Sequence, residues 1–246
     1  ARAPLLWQCG LREICLAALW LPLGALIFCY VTASIFQADD IHETHCRVYN
    51  VVPSISAITG ISPQRYVWRI CIAFHLGPRI RTLDLNRSQT YNIIPLFTSG
   101  VKDKCFTWAI IALCTTDLFS VELFKYIQKC LNFPVVHEKI FIVFMIAALL
   151  HMLCRARVGC IASDTVETVR TNKLVWILFY VAIIATVGLI VFFLRHRLLC
   201  RPLAFTYFSV CEYILATANM AFHAIVVRDL PLHEIHVVCP THRKAD

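Results

Sequence analysis

The sequence predicts an all-α, polytopic integral membrane helix bundle of about six transmembrane helices. Of its 246 residues 59% are hydrophobic and only 15% charged, too apolar a composition to close as one water-soluble globule. Mean hydropathy is +0.69. Apolar runs recur at close to the roughly 20 residues that a helix needs to cross a hydrocarbon core about 30 Å thick, and polar or proline-bearing loops separate them. A membrane barrel would instead show alternating strands of about ten residues.

The spans are expected at roughly 14–36, 66–83, 106–124, 140–154, 174–194 and 203–227, with a long polar loop over 37–65. The first is too long for the apolar core of a signal peptide and has no small-residue cleavage pattern, so it reads as a retained span. The second is short, carries Arg69, His75 and Arg79, and is interrupted by Gly77-Pro78. The third holds Asp117 in C-T-T-D-L-F. The fourth is short and opens after His137-Glu138, where an acidic residue suits the positive end of the helix dipole. The fifth is apolar throughout, and the sixth carries Glu212, Asn219 and His223. No internal repeat or low-complexity tract divides the chain, so a single transmembrane domain over 1–246 is expected.

Lys and Arg residues are about twice as frequent beside the N-terminus, the second and fourth loops and the C-terminus as on the other side. Arg79, Arg81, Arg87, Lys102 and Lys104, for example, gather in the second loop. This bias predicts cytosolic termini and a lumenal or external 37–65 loop. Because the basic residues sit at span ends, the net charge of +8 points to anionic membrane lipid and not to nucleic acid. Most of the 13 cysteines lie in or beside spans and read as small hydrophobes. Cys46, Cys130 and Cys200 fall together on the lumenal, oxidising side, and the expected disulfide is Cys46–Cys200 with Cys130 as a competing partner.

An ionisable side chain in hydrocarbon costs several kcal/mol, so each one should face protein, water or a polar ligand. At about 100° per residue, Glu212, Asn219 and His223 fall within about 40° of each other, which makes one polar stripe aimed at the bundle interior. Arg65, Arg69, His75 and Arg79 fall within about 120°, if the second span stays helical through Gly77-Pro78. H-E-T-H-C at 42–46 and H-E-I-H at 233–236 look metal-like, but neither has the i, i+4 histidine pair of a zincin helix and both read as loop or tail. No metal site is expected, and there is no glycine-rich phosphate loop or G-x-S-x-G elbow.

Several motifs in register add a family resemblance. They are H-C-R-V-Y-N-x-x-P-S-I-S-A-I-T-G at 45–60, P-Q-R-Y-V-W-R at 63–69 and H-L-G-P-R at 75–79. Further on come His137-Glu138 with I-F-I-V-F, His151-Met152-Leu153, Arg195-His196 with Cys200, and Glu212-Tyr213 with N-M-A-F-H at 219–223. In this order they resemble the post-GPI-attachment-to-proteins factor 2 family of the FRAG/DRAM/Sfk superfamily. Residues 80–104, 155–173 and the tail after Asp229 depart from that pattern.

The resemblance implies a multi-pass protein of the Golgi membrane, and also of the endoplasmic reticulum, acting in lipid remodelling of GPI-anchored proteins. The implied step puts a saturated chain back at sn-2 of lyso-GPI. Implied partners are GPI-anchored proteins or lyso-GPI, membrane lipid and other GPI-remodelling proteins; no cofactor is implied beyond an acyl donor such as acyl-CoA. Acyl transfer to a hydroxyl needs a base and oxyanion donors, for which His75 and His223 are the candidate bases. Glu212 is a candidate orienting carboxylate, as is Asp117, the nearest equivalent of an acidic residue in the family's third span. The inositol phosphate of such a substrate suits the arginine fork of Arg65, Arg69 or Arg79. Two other roles stay open for these arginines: snorkelling to the interface, or pairing with Glu212 and Asp117 as structural glue. Two classes of function stay open as well, a membrane-embedded acyltransferase and a non-catalytic lipid-binding or scaffold protein.

Overall fold

The computed structural model describes residues 5–44, 46–75, 134–161, 166–228 and 234–238. A short strand, β1 (Leu5–Gly10), leads into α1 (Leu11–Phe36), which stops where the Gln37 N–H turns back onto the Ala33 carbonyl at 2.8 Å. Pro22 lies inside α1 and is buried, and its missing N–H removes one bond from the helix ladder. The segment expected as a loop over 37–65 is more ordered than its composition suggests. It contains α2 (Ala38–His42) and α3 (Ile55–Gly60), and helix α4 covers 64–75. Ser54 caps α3 by accepting from the Ala57 N–H at 3.1 Å.

Three further long helices follow among the described residues: α5 (Pro134–Ile161), α6 (Val166–Leu199) and α7 (Ala204–Arg228). Helix α5 overruns the 140–154 stretch, because its polar ends extend the same helix beyond the apolar segment that hydropathy detects. The 34 residues of α6 reach about 51 Å, well beyond a hydrocarbon core of about 30 Å. The most apolar 18-residue window within Thr168–Leu199 has a mean hydropathy of 2.9, and that within Arg12–Phe36 of α1 has 2.3. The 106–124 span lies outside the described residues, as do Asp117, Arg79 and Cys130.

The all-α expectation holds for the bundle and misses one addition. Residues Glu234–Val238 form β2, which pairs antiparallel with β1, so that Trp7 lies opposite Val237 and Gly10 opposite Glu234. H-E-I-H at 233–236, expected in a loop or tail, therefore contributes mostly to a strand. Its partner is more than two hundred residues away, and no turn signal in the sequence announces such a pairing. The pairing brings the start of α1 and the end of α7 to one end of the bundle. At the other end Cys46 and Cys200 form the expected disulfide, with Cα atoms 5.6 Å apart across 154 residues of sequence. Cys200 adopts φ 44° just past the end of α6, the left-handed position that closes many helices.

Two buried clusters hold the helices together. Met152 and Ala156 of α5 meet Val175, Phe179 and Ala182 of α6 and Ala218 and Phe222 of α7. Leu26, Cys29 and Ala33 of α1 meet Ile41 of α2 and Ile58 of α3. Cys15 and Cys29 are buried as small hydrophobes. The outside is apolar as well: Ile35, Phe36, Phe74, Ile184 and Leu198 are each more than 60% exposed. Side chains of that size facing outward along several helices have lipid as their matching solvent. The molecule is a membrane protein.

Two predictions follow from this packing. Peptide mapping under non-reducing conditions should recover Cys46 linked to Cys200, and Cys200→Ser should cost about 2–4 kcal/mol of stability, read as a lower melting temperature in detergent; a free Cys46 thiol would contradict the pairing. At Gly188 a Cβ would lie 2.7 Å from the Cys211 sulfur, so Gly188→Leu should wedge α6 from α7 and destabilise the protein by about 1–3 kcal/mol. Full stability in that variant, measured by the same melting assay, would refute the close approach.

Candidate functional site

Helix α7 uses its polar residues first as fasteners. Thr206, Ser209, Glu212 and Tyr213 occupy about a 120° arc, and the loop from Asn50 to Ile55 lies along it. The Thr206 hydroxyl donates to Asn50 Oδ1 at 2.7 Å and accepts from the Val51 N–H at 3.1 Å. Asn50 Nδ2 donates to Ser209 Oγ at 3.4 Å, and the Tyr213 hydroxyl donates to the Pro53 carbonyl at 3.2 Å. Glu212 Oε2 accepts from the Ile55 N–H at 2.8 Å, at the first residue of α3. Glu212 is 6% exposed, Asn50 1% and Ser209 fully buried, so water is largely kept from the inner bonds of this set, while the Val51 N–H bond lies at its exposed edge.

Beneath that loop lies a cavity of about 180 Å³. Leu19, Pro22 and Leu26 of α1, Trp68 and Ile72 of α4, and Phe144, Met145 and Leu149 of α5 give it apolar walls. Among the described residues its polar lining consists of Ser56 and Thr59 from α3, His75 from α4, and Glu212, Asn219 and His223 from α7. The structure thus places His75, His223 and Glu212 on one cavity, with the Asn219 of the predicted stripe. All three ionisable groups are less than 10% exposed.

Helical rise separates these groups into two poles. Tyr213 meets Tyr30 of α1 edge to face, with ring centroids 6.4 Å apart, while Cys29 of α1 donates its S–H to the Gln64 carbonyl at 3.6 Å. Glu212 and Gln64 are therefore at nearly the same level, toward the disulfide end. His223 lies 11 residues beyond Glu212 and His75 lies 11 residues beyond Gln64, each about 16 Å further along its helix. The two histidines share a level at the sheet end of the cavity. Glu212 shares the opposite end with Ser56 and Thr59, and its carboxylate is engaged by the α3 backbone.

Sequence reasoning placed His151 near the same end as His223 without their contact, and it missed Ser56 and Thr59. His151 of α5 stacks on His223, with centroids 5.7 Å apart and planes 22° apart. Ser56 and Thr59 come from a segment that composition assigns to a loop. Their only signal was Ser54, an N-cap residue followed by an apolar run. Arg65 and Arg69 are half-buried on α4 and do not line the cavity among the described residues. Arg65 lies 4.9 Å over the Tyr66 ring and donates from Nη2 to the Tyr66 hydroxyl at 2.9 Å. The Nε atoms of Arg65 and Arg69 are buried without a hydrogen-bond partner among the described residues.

With this geometry in hand, comparison with protein families matches residues 10–233 to the Frag1/DRAM/Sfk1/Cwh43P N-terminal domain. The chain belongs to this family. A relative from Drosophila melanogaster, Post-GPI attachment to proteins factor 2-like, is 43% identical over 235 residues, covering 92% of this chain and 71% of its own. Acyltransferase PGAP2 of Xenopus tropicalis is 29% identical over 224 residues, covering 89% of this chain and 87% of its own. Post-GPI attachment to proteins factor 2 of Caenorhabditis elegans is 28% identical over 229 residues, with 88% and 83% covered. No solved structure matches the chain. The matched region contains every described residue of the cavity.

The Glu212 bond makes a sharp prediction. Glu212→Gln keeps an oxygen acceptor for the Ile55 N–H, whereas Glu212→Leu strands that donor in a dry site and should cost about 1–3 kcal/mol more. Melting temperatures of the two variants in detergent decide it, and equal values would show that the carboxyl oxygen does not hold α3.

Proposed function

We propose that this protein acts in lipid remodelling of GPI-anchored proteins at the Golgi membrane, as the acyltransferase that restores a saturated chain at sn-2 of lyso-GPI. One observation carries the reading: two buried histidines lining one largely apolar cavity, in a chain whose relatives are named for post-GPI-attachment function or as acyltransferases. The apolar walls suit an acyl chain. His75 or His223 takes the proton of the attacking sn-2 hydroxyl, and the Asn219 amide, one turn from His223 on the same face, is positioned to donate to an oxyanion.

The lipid phosphate is assigned to Arg69 and Arg65, with Arg79 as a further candidate. Arg69 lies about 9 Å along α4 from His75, a spacing that lets one lysolipid place its phosphate at the arginine and its glycerol hydroxyl toward the imidazole. The disulfide end then faces the lumen, and an acyl-CoA donor approaches from the sheet end, on the cytosolic side. Glu212 holds α3 in this scheme, which leaves Asp117 as the carboxylate candidate for orienting a histidine. One observation favours the alternative of a lipid-presenting scaffold: the Glu212 carboxylate is already committed to the α3 backbone.

Purified protein in liposomes containing lyso-GPI and a radiolabelled saturated acyl-CoA should form diacyl product. His75→Gln or His223→Gln should lower turnover at least about 100-fold while the protein accumulates normally. A scaffold tolerates both changes. Absence of transfer by the wild type, under conditions where a cell extract succeeds, would sink the acyltransferase assignment.

A further inference from the structure

His151 has no place in the scheme above, yet it is 6% exposed on α5, where its ring reaches His223 of α7. Its ring lies 5.7 Å from that of His223, with the planes only 22° apart. Phe222 meets both rings edge on: its centroid is 5.1 Å from His151 at 90° and 5.2 Å from His223 at 75°. Phe222 itself is fully buried, and Met152, the neighbour of His151, is 1% exposed within the same cluster. The three rings therefore form a corner braced by the bundle core. Only His223 of the three lines the cavity.

We infer that His151 is a positioning residue: its ring fixes the plane of the His223 imidazole and so determines which edge of that imidazole faces the cavity. A side chain on a helix has two torsions to settle, and an imidazole in an apolar slot without a flat neighbour can turn about the second. A parallel ring on one side and an aromatic edge against it remove that freedom. Two separate helices supply the constraint, α5 through His151 and α7 through Phe222, so the plane of His223 also reports how α5 sits against α7. The kinetic consequence rests on the acyl-transfer reading, while the ring geometry does not.

The test separates the two. In proteoliposomes, diethyl pyrocarbonate labels accessible imidazoles, and mass spectrometry gives the rate at His223. His151→Phe retains a flat ring and should leave that rate within about twofold of wild type. His151→Leu and His151→Met fill the space without stacking and should raise the rate at least about threefold, as the imidazole turns its edges outward. In the lyso-GPI assay, Leu or Met should lower kcat about tenfold with KM within about twofold, and Phe should restore kcat, since misorientation acts on the reacting group and not on lipid binding. Equal His223 labelling in the Phe, Leu and Met variants would overturn the inference, and using two non-stacking variants guards against one that does not accumulate. A labelling difference in a protein without acyl transfer, wild type included, upholds the ring geometry and refutes the acyltransferase assignment instead.

Discussion

The attachment of the Asn50–Ile55 segment to α7 is the constraint on which the rest of the molecule depends. Each of its hydrogen bonds contributes only about 1 kcal/mol net in an ordinary protein, but those around the buried Asn50, Ser209 and Glu212 are poorly replaced by water, so losing one costs more than its presence contributes. Thr206, Ser209, Glu212 and Tyr213 between them satisfy backbone groups of Val51, Pro53 and Ile55 and the side chain of Asn50. Through those contacts α3 is held over the cavity, with Ser56 and Thr59 turned to its polar lining. The Cys46–Cys200 bond anchors the same segment to the corner between α6 and α7. Without this attachment the cavity would have walls and no roof.

The packing below that roof explains why a cavity persists there. One buried cluster joins α5, α6 and α7, and the other joins α1, α2 and α3, so the space between them is spanned mainly by α4 and by the polar stripe of α7. Helix α6 contributes nothing to the described lining. It serves as a buttress, close enough at Gly188 that Cys211 of α7 fills the place of a side chain. With large apolar residues also facing outward, ordinary inside-outside partitioning adds little to helix association, and close contacts of this kind carry more of it.

Much of this was legible in the residues. Long apolar runs pointed to the long helices that the structure describes, and the reading that placed Cys46, Cys130 and Cys200 on one face included the Cys46–Cys200 pair without excluding Cys130. Helical periodicity put Glu212, Asn219 and His223 on one face, because it depends only on local geometry. What escaped were contacts between distant segments. The role of Glu212 is set by Ile55, 157 residues away, and nothing within α7 marks that carboxylate as a backbone acceptor. His151 and His223 are read from sequence as lying toward the same end of their spans but not as stacked, since periodicity within α5 does not say which side of α7 it meets. The β1–β2 pairing escaped for the same reason, and α3 was hidden by its shortness, six residues that a tertiary partner holds helical.

That same dependence on distant segments gives the molecule a timetable. A chain that emerges at about 5–20 residues per second has made Cys46 on the order of ten to thirty seconds before Cys200 exists. Throughout that interval the Asn50–Ile55 backbone has no α7 to bond to, and the Cys46 thiol is open to other oxidants and other thiols. The newborn protein therefore passes through a stage in which its first helices are in place and its cavity is not. Completion of the last helix, and not insertion of the first, is the event that turns the chain into a working molecule.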